Sequence, residues 1–144
     1  MIQIIIINGP NLNLLGVRQP DIYGRKSFEE YFIELETEFP EFNLHYYQSN
    51  HEGDLIDKIH NVGYRFDGII LNAGGFTHTS IAIADALRAI TTPVIEVHLT
   101  NIYAREAYRH TNFIKESAVK SIVGRGLDGY KEAIEYFRDH IIKK

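Results

Sequence analysis

Residues 2–7 read Ile-Gln-Ile-Ile-Ile-Ile, and the run stops at Asn8. Six residues are too few for a helix, and successive strand side chains point to opposite faces, so isoleucine on both faces demands cover on both sides. A strand of this kind lies inside a parallel sheet with helices above and below it. The rest of the chain alternates accordingly. Leu44 to Gln48, Gly68 to Leu71, Pro93 to Val97 and Ser121 to Val123 read as further strands. Between them, Ser27 opens a helix with Glu30 three residues on as its capping-box partner. Its apolar stripe is Phe28, Tyr31, Phe32, Leu35 and Phe39, and Pro40 ends it. Gly53 to Tyr64, Ser80 to Ile90 and Leu127 to Ile142 carry apolar residues at helical spacing, and Lys143-Lys144 reads as a solvated terminus.

Strands separated by single helices cannot pair as hairpins, which predicts a five-stranded parallel sheet with helices on both faces, flavodoxin-like in size and order. The 144 residues, 44% apolar and 24% charged, suffice for one domain spanning 1–144 with its own core. Without cysteine, disulfides, thiolate metal sites and thiol nucleophiles are excluded. A net charge of -4 offers no basic face to nucleic acid. The start shows no basic leader and no apolar stretch of membrane length, so a soluble cytoplasmic protein is expected.

In such a sheet, ligands bind beyond the carboxyl ends of the strands. Strand one is followed by a polar stretch, Asn8 to Lys26, with three glycines, two prolines, three asparagines and no helical period. Loops of this length are usually functional or disordered, and this one lacks the glycine and lysine spacing of nucleotide-binding loops. Strand three leads into Asn72-Ala73-Gly74-Gly75-Phe76-Thr77-His78, where paired glycines ahead of a helix would free backbone N–H groups for an anionic or hydroxyl-rich ligand. Strand four ends in Glu96-Val97-His98-Leu99-Thr100. Alternation puts Glu96 and His98 on one side, so the carboxylate can orient the imidazole for acid–base work. The same pair also fits an ion pair capping the sheet. Three histidines could bind a metal, but no H-E-x-x-H spacing is present, so no metal is expected.

Proton transfer is the chemistry these ends suit best. Tyr23, in the long loop with Arg18, is the candidate base. A free phenol titrates at about 10, and a guanidinium within about 4–6 Å lowers an acid's pKa by roughly 1–3 units. An aromatic anchor stacked on Arg18 is the structural alternative. From the residues alone, the reading stays open between a cofactor-free proton-transfer enzyme, a lyase or isomerase acting on a small polyhydroxy acid, and a non-catalytic ligand-binding module.

Taken together, Asn8-Gly9-Pro10-Asn11-Leu12-Asn13-Leu14-Leu15-Gly16, Arg18-x-Pro20-x-x-Tyr23-Gly24, Asn72-Ala73-Gly74-Gly75-x-Thr77-His78-Thr79-Ser80 and Glu96-Val97-His98-Leu99-Thr100-Asn101 resemble the type II 3-dehydroquinate dehydratases, as does Gly129-Tyr130 in the last helix. The resemblance implies reversible dehydration of 3-dehydroquinate through an enolate, without metal or cofactor. It implies Tyr23 as base, Arg18 favouring the tyrosinate, and His98 oriented by Glu96 as acid. Asn11 and the Pro10 carbonyl would position a water near the enolate oxygen. Asn72 and the backbone N–H groups of Leu99 and Thr100 would hold the carboxylate, His78 and Arg109 the ring hydroxyls, with Gly74 and Gly75 beside them. Asp85 would reach a neighbouring subunit's site in a homododecamer. Gln19 and Tyr103 depart from the family pattern, which usually has glutamate and histidine there.

Overall fold

The computed structural model describes residues 1–142; Lys143, Lys144 and the side chain of Tyr23 lie outside the description. Among the described residues, five parallel strands form one sheet in the order β2-β1-β3-β4-β5. They are β1 (Ile2–Asn8), β2 (Phe42–Gln48), β3 (Gly68–Asn72), β4 (Val94–His98) and β5 (Lys120–Val123). The isoleucine run is flanked on both sides, as its sequence requires. Its register sets Asn8 opposite both Gln48 and Asn72, so the last residues of three strands stand level at one sheet edge.

Two layers of helix cover the sheet. Ile4 and Ile6 of β1 pack with Ile70, Ile95 and Val97 under α2 (Phe28–Glu38) and α5 (Asp128–Tyr136). Ile5 and Ile7 pack with Ile69, Leu71 and Val94 under α3 (Glu52–Val62) and α4 (Ile81–Ala89). The four isoleucines from Ile4 to Ile7 are at most 2% exposed, and each such side chain contributes roughly 1.5–3 kcal/mol through removal from water. The capping box of α2 is present: Ser27 Oγ accepts the Glu30 N–H and Glu30 Oε1 accepts the Ser27 N–H.

The stretch after β1 departs from expectation. It holds a 3-10 turn, Leu12–Leu14, and a short helix, α1 (Pro20–Tyr23). Neither shows a hydrophobic period because each is only three or four residues long. Pro20 starts α1 with its fixed φ, and Gly24, at φ 84°, stops it. Boundaries shift elsewhere for local reasons. Strand β4 begins after Pro93, which has no N–H for the ladder, and runs on to His98. Helix α3 closes at Val62 with Gly63 as its cap, two residues short of Tyr64. The closing helix is α-helical only to Tyr136, then widens into a π turn over Phe137–Ile141. No described helix is long and apolar enough to cross a membrane.

Backbone crowding fixes the junction of β1 and β3. The Gly9 N–H donates to the Asn72 carbonyl at 2.7 Å, and a Cβ on Gly9 would fall 2.5 Å from the Ala73 carbonyl oxygen. Neither backbone can yield without breaking the ladder. Gly9→Ala is therefore expected to lower stability by about 1–3 kcal/mol or more, measured as a drop in the urea midpoint at unchanged m-value.

Candidate active site

The strand ends surround one cavity of about 180 Å³, small against the 300 Å³ and more typical of drug-sized ligands. The loop after β1 contributes Asn11 and Arg18, the end of β3 and the loop after it contribute Asn72, Gly74, Gly75 and His78, and the end of β4 and the loop after it contribute His98, Leu99, Thr100 and Arg109. Ten of the residues expected from sequence thus share one wall. Arg105 lines it as well. Three guanidinium groups and two imidazoles face the cavity, and no carboxylate is among the lining residues. The space suits a small anion with polar substituents.

Beneath the lining, Glu96 is 1% exposed. Its Oε2 accepts from His98 Nε2 at 2.8 Å, while Oε1 accepts from Ser121 Oγ at 2.7 Å and from Asn112 Nδ2 at 3.1 Å. Burial pushes the Glu96 carboxyl up, but these donors and the His98 charge outweigh it and hold the group below its usual range. Asn112 is itself fixed, its Oδ1 accepting the N–H groups of Ile114 and Lys115. With Nε2 committed to Glu96, Nδ1 is the nitrogen of His98 left for a ligand.

His78 is held differently. Its Nδ1 lies 2.7 Å from the Thr111 carbonyl, which requires the proton on Nδ1 and leaves Nε2 as an acceptor. Burial lowers its pKa, and the charges of His98 and Arg109 add to that, against the opposing pull of the Thr111 bond. At neutral pH it is an uncharged imidazole able to accept from a hydroxyl. Arg109 is steadied by Glu106, with Nε 3.1 Å from Oε1.

Asn11 sits in the left-handed region at φ 71°. Its N–H donates to Asn50 Oδ1 at 3.0 Å, and Gln48 Nε2 donates to the same oxygen and to the Gly9 carbonyl, both at 3.1 Å. The turn carrying Leu99 and Thr100 is fixed by the Gly124 and Gly126 N–H groups, which donate to the carbonyls of His98 and Leu99. Arg18 lines the cavity from an exposed position. Tyr23 closes α1 five residues later, its side chain outside the description.

Two expectations need correction. The helix opens at Ser80 as expected, its Oγ accepting from the Ile83 N–H, but Gly74–His78 ahead of it form a 3-10 turn instead of a plain loop. The two glycine amides are not both open to a ligand, since the Gly74 N–H donates to Asn72 Oδ1 at 3.2 Å. The φ of 61° at Gly74 serves that internal contact. Asp85 lies on the exposed side of α4, paired with Arg88 at 2.8 Å, and does not line this chain's cavity. Sequence reasoning assigned no role to Arg105, Asn50, Ser121, Asn112 or Tyr130. Arg105 and Asn50 were findable, because both follow strands at the ligand-bearing edge.

Because the Glu96 carboxyl is more acidic folded than unfolded, its contribution to stability is complete above about pH 4.5 and is lost as pH falls through its lower folded value. Glu96→Gln is expected to cost about 2–4 kcal/mol at pH 7 by leaving buried donors mismatched. The gap to the parent should narrow below pH 4.5, which urea titrations across a pH series would measure.

A family model described as dehydroquinase class II matches residues 2–138. The 3-dehydroquinate dehydratase of Bacillus licheniformis is 49% identical over 143 residues, covering 95% of this chain and 96% of that protein. The catabolic 3-dehydroquinase 2 of Aspergillus fumigatus is 46% identical over 148 residues, covering 99% and 96%. The crystal structure of the type II dehydroquinase from Butyrivibrio crossotus matches with a TM-score of 0.87 at 42% identity, over 93% of this chain and 95% of that one. With its sheet order, its strand-end motifs and a match over nearly its whole length, the chain belongs to the class II dehydroquinase family.

Proposed function

We propose that this chain is a lyase that reversibly dehydrates 3-dehydroquinate to 3-dehydroshikimate, a step of the shikimate pathway, by two-step elimination through an enolate. One observation carries the reading: the three strand-end motifs converge on a single small cavity lined by cations and amides, with a carboxylate-held histidine at its floor. A carbanion-forming elimination needs a base for a weakly acidic C–H, a stabilised enolate oxygen and an acid for a poor leaving group.

In this reading Tyr23, as tyrosinate, takes the proton from C2, and Arg18 favours the anion. The electrons move onto the carbonyl oxygen, beside a water positioned by Asn11 and the Pro10 carbonyl. Collapse of the enolate expels the C1 hydroxyl, which leaves as water with a proton from His98 Nδ1. Glu96 keeps that ring oriented. Asn72 with the backbone of Leu99 and Thr100 receives the carboxylate, and neutral His78 and Arg109 receive the ring hydroxyls, past Gly74 and Gly75. No metal or cofactor takes part. The residues act as one catalytic domain in the cytoplasm, within a homododecamer where Asp85 meets the neighbouring subunit's site.

Purified protein given 3-dehydroquinate in the presence of a metal chelator is expected to generate the enone absorbance of the product, at the same rate as without chelator; a flat trace rejects the proposal. Tyr23→Phe is expected to retain substrate binding while turnover falls by about 10²–10⁴-fold. Comparable activity in that variant would remove Tyr23 from the base role.

A further inference from the structure

We infer that Tyr130 is a positioning residue that, together with the Gly74 N–H, holds the Asn72 amide in one orientation, so that the site presents an N–H rather than a carbonyl to the ligand's anionic group. The inference rests on the proposed function for the identity of that ligand, while the geometry stands by itself.

Asn8 and Asn72 are cross-strand partners at the sheet edge, and the phenol of Tyr130 reaches them from α5. Tyr130 donates its proton to Asn8 Oδ1 at 2.8 Å and accepts from Asn72 Nδ2 at 3.0 Å. The other end of the Asn72 amide, Oδ1, accepts the Gly74 N–H at 3.2 Å. A backbone N–H can only donate, so it holds the oxygen of Asn72. The amide nitrogen then faces the phenol oxygen, which must accept, and the single phenolic proton is left for Asn8. Donor direction is thus dictated from Gly74 to Asn8 without a free choice along the way. Asn72, 3% exposed, keeps one unassigned N–H, and it is a lining residue of the cavity.

An asparagine without the phenol oxygen would lose this order. Its buried nitrogen would have no acceptor on that side, and the Gly74 N–H alone would hold Oδ1, leaving the amide less firmly aimed at the cavity. Burial pushes the Tyr130 pKa far above the ordinary phenol value, so the hydroxyl stays protonated and able to donate. The ring has its own neighbour, meeting Phe28 edge-on at 4.9 Å, and phenylalanine would keep that contact while deleting only the hydroxyl.

The test is Tyr130→Phe, assayed at a temperature where circular dichroism shows it folded. KM for 3-dehydroquinate is expected to rise about tenfold, the size of one hydrogen bond to an ionic group, with kcat within about twofold. The side-chain amide resonances of Asn72, assigned by their loss in Asn72→Asp, should shift and exchange faster with solvent. If the melting temperature falls while KM and these resonances stay as in the parent, the hydroxyl is structural only and the inference is overturned. Should Tyr130→Phe fail to fold, Asn8→Ala, which removes the acceptor of the phenolic proton, is expected to give the same rise in KM; an unchanged KM there overturns the inference too. Absence of turnover in the parent protein would reject the proposed function, and the Asn72 resonances would still decide the role of Tyr130.

Discussion

Four polar side chains, Asn8, Asn72, Glu96 and His98, are buried at the carboxyl edge of an otherwise isoleucine-rich sheet. A polar group taken from water without a partner is strongly destabilising, and each of these side chains has at least one hydrogen-bond partner inside the fold, with Asn8 Nδ2 left without one. Those partners come from distant parts of the chain: Tyr130 on α5, Ser121 on β5 and Asn112 in the segment between β4 and β5. Closing the core and assembling the site are therefore one event. One helix that covers the isoleucines, the edge strand β5 and the segment before it deliver the groups that fix these side chains.

The charge distribution follows from the same burial. A single enclosed carboxylate, satisfied by three donors, underlies a bowl whose visible surface is cationic or neutral. The two imidazoles are differentiated by what holds them. His98 rests on a carboxylate, whereas His78 rests on a backbone carbonyl among positive neighbours and is driven toward its uncharged form. Identical side chains thereby receive separate duties, one suited to delivering a proton and the other to receiving a hydrogen bond.

Features that repeat, or that sit at strand ends, were legible in the sequence. The isoleucine run announced a two-sided strand, Ser27 and Glu30 announced a helix start, and Glu96 with His98 announced a polar pair on one side of β4. What was missed lacks a period. Helix α1 is one turn held by Pro20 and Gly24, too short to display a face. Tyr130 occupies a core position by helical spacing, and spacing says nothing of where its hydroxyl ends. Asn112 and Ser121 carry no pattern at all, and their value depends on a carboxylate brought to them by folding. Gly74 read as an open amide because the sequence does not show that Asn72 claims it.

The left-handed backbone at Asn11 has a consequence for how this chain can drift. That conformation disfavours nearly every side chain except glycine, asparagine and aspartate, and Asn50 locks it in place through the N–H. The side chain that lines the cavity and the residue tolerated by the backbone are thus the same. Few substitutions at this position leave the backbone unstrained, so a change in the shape of the bowl is more easily made at its other walls.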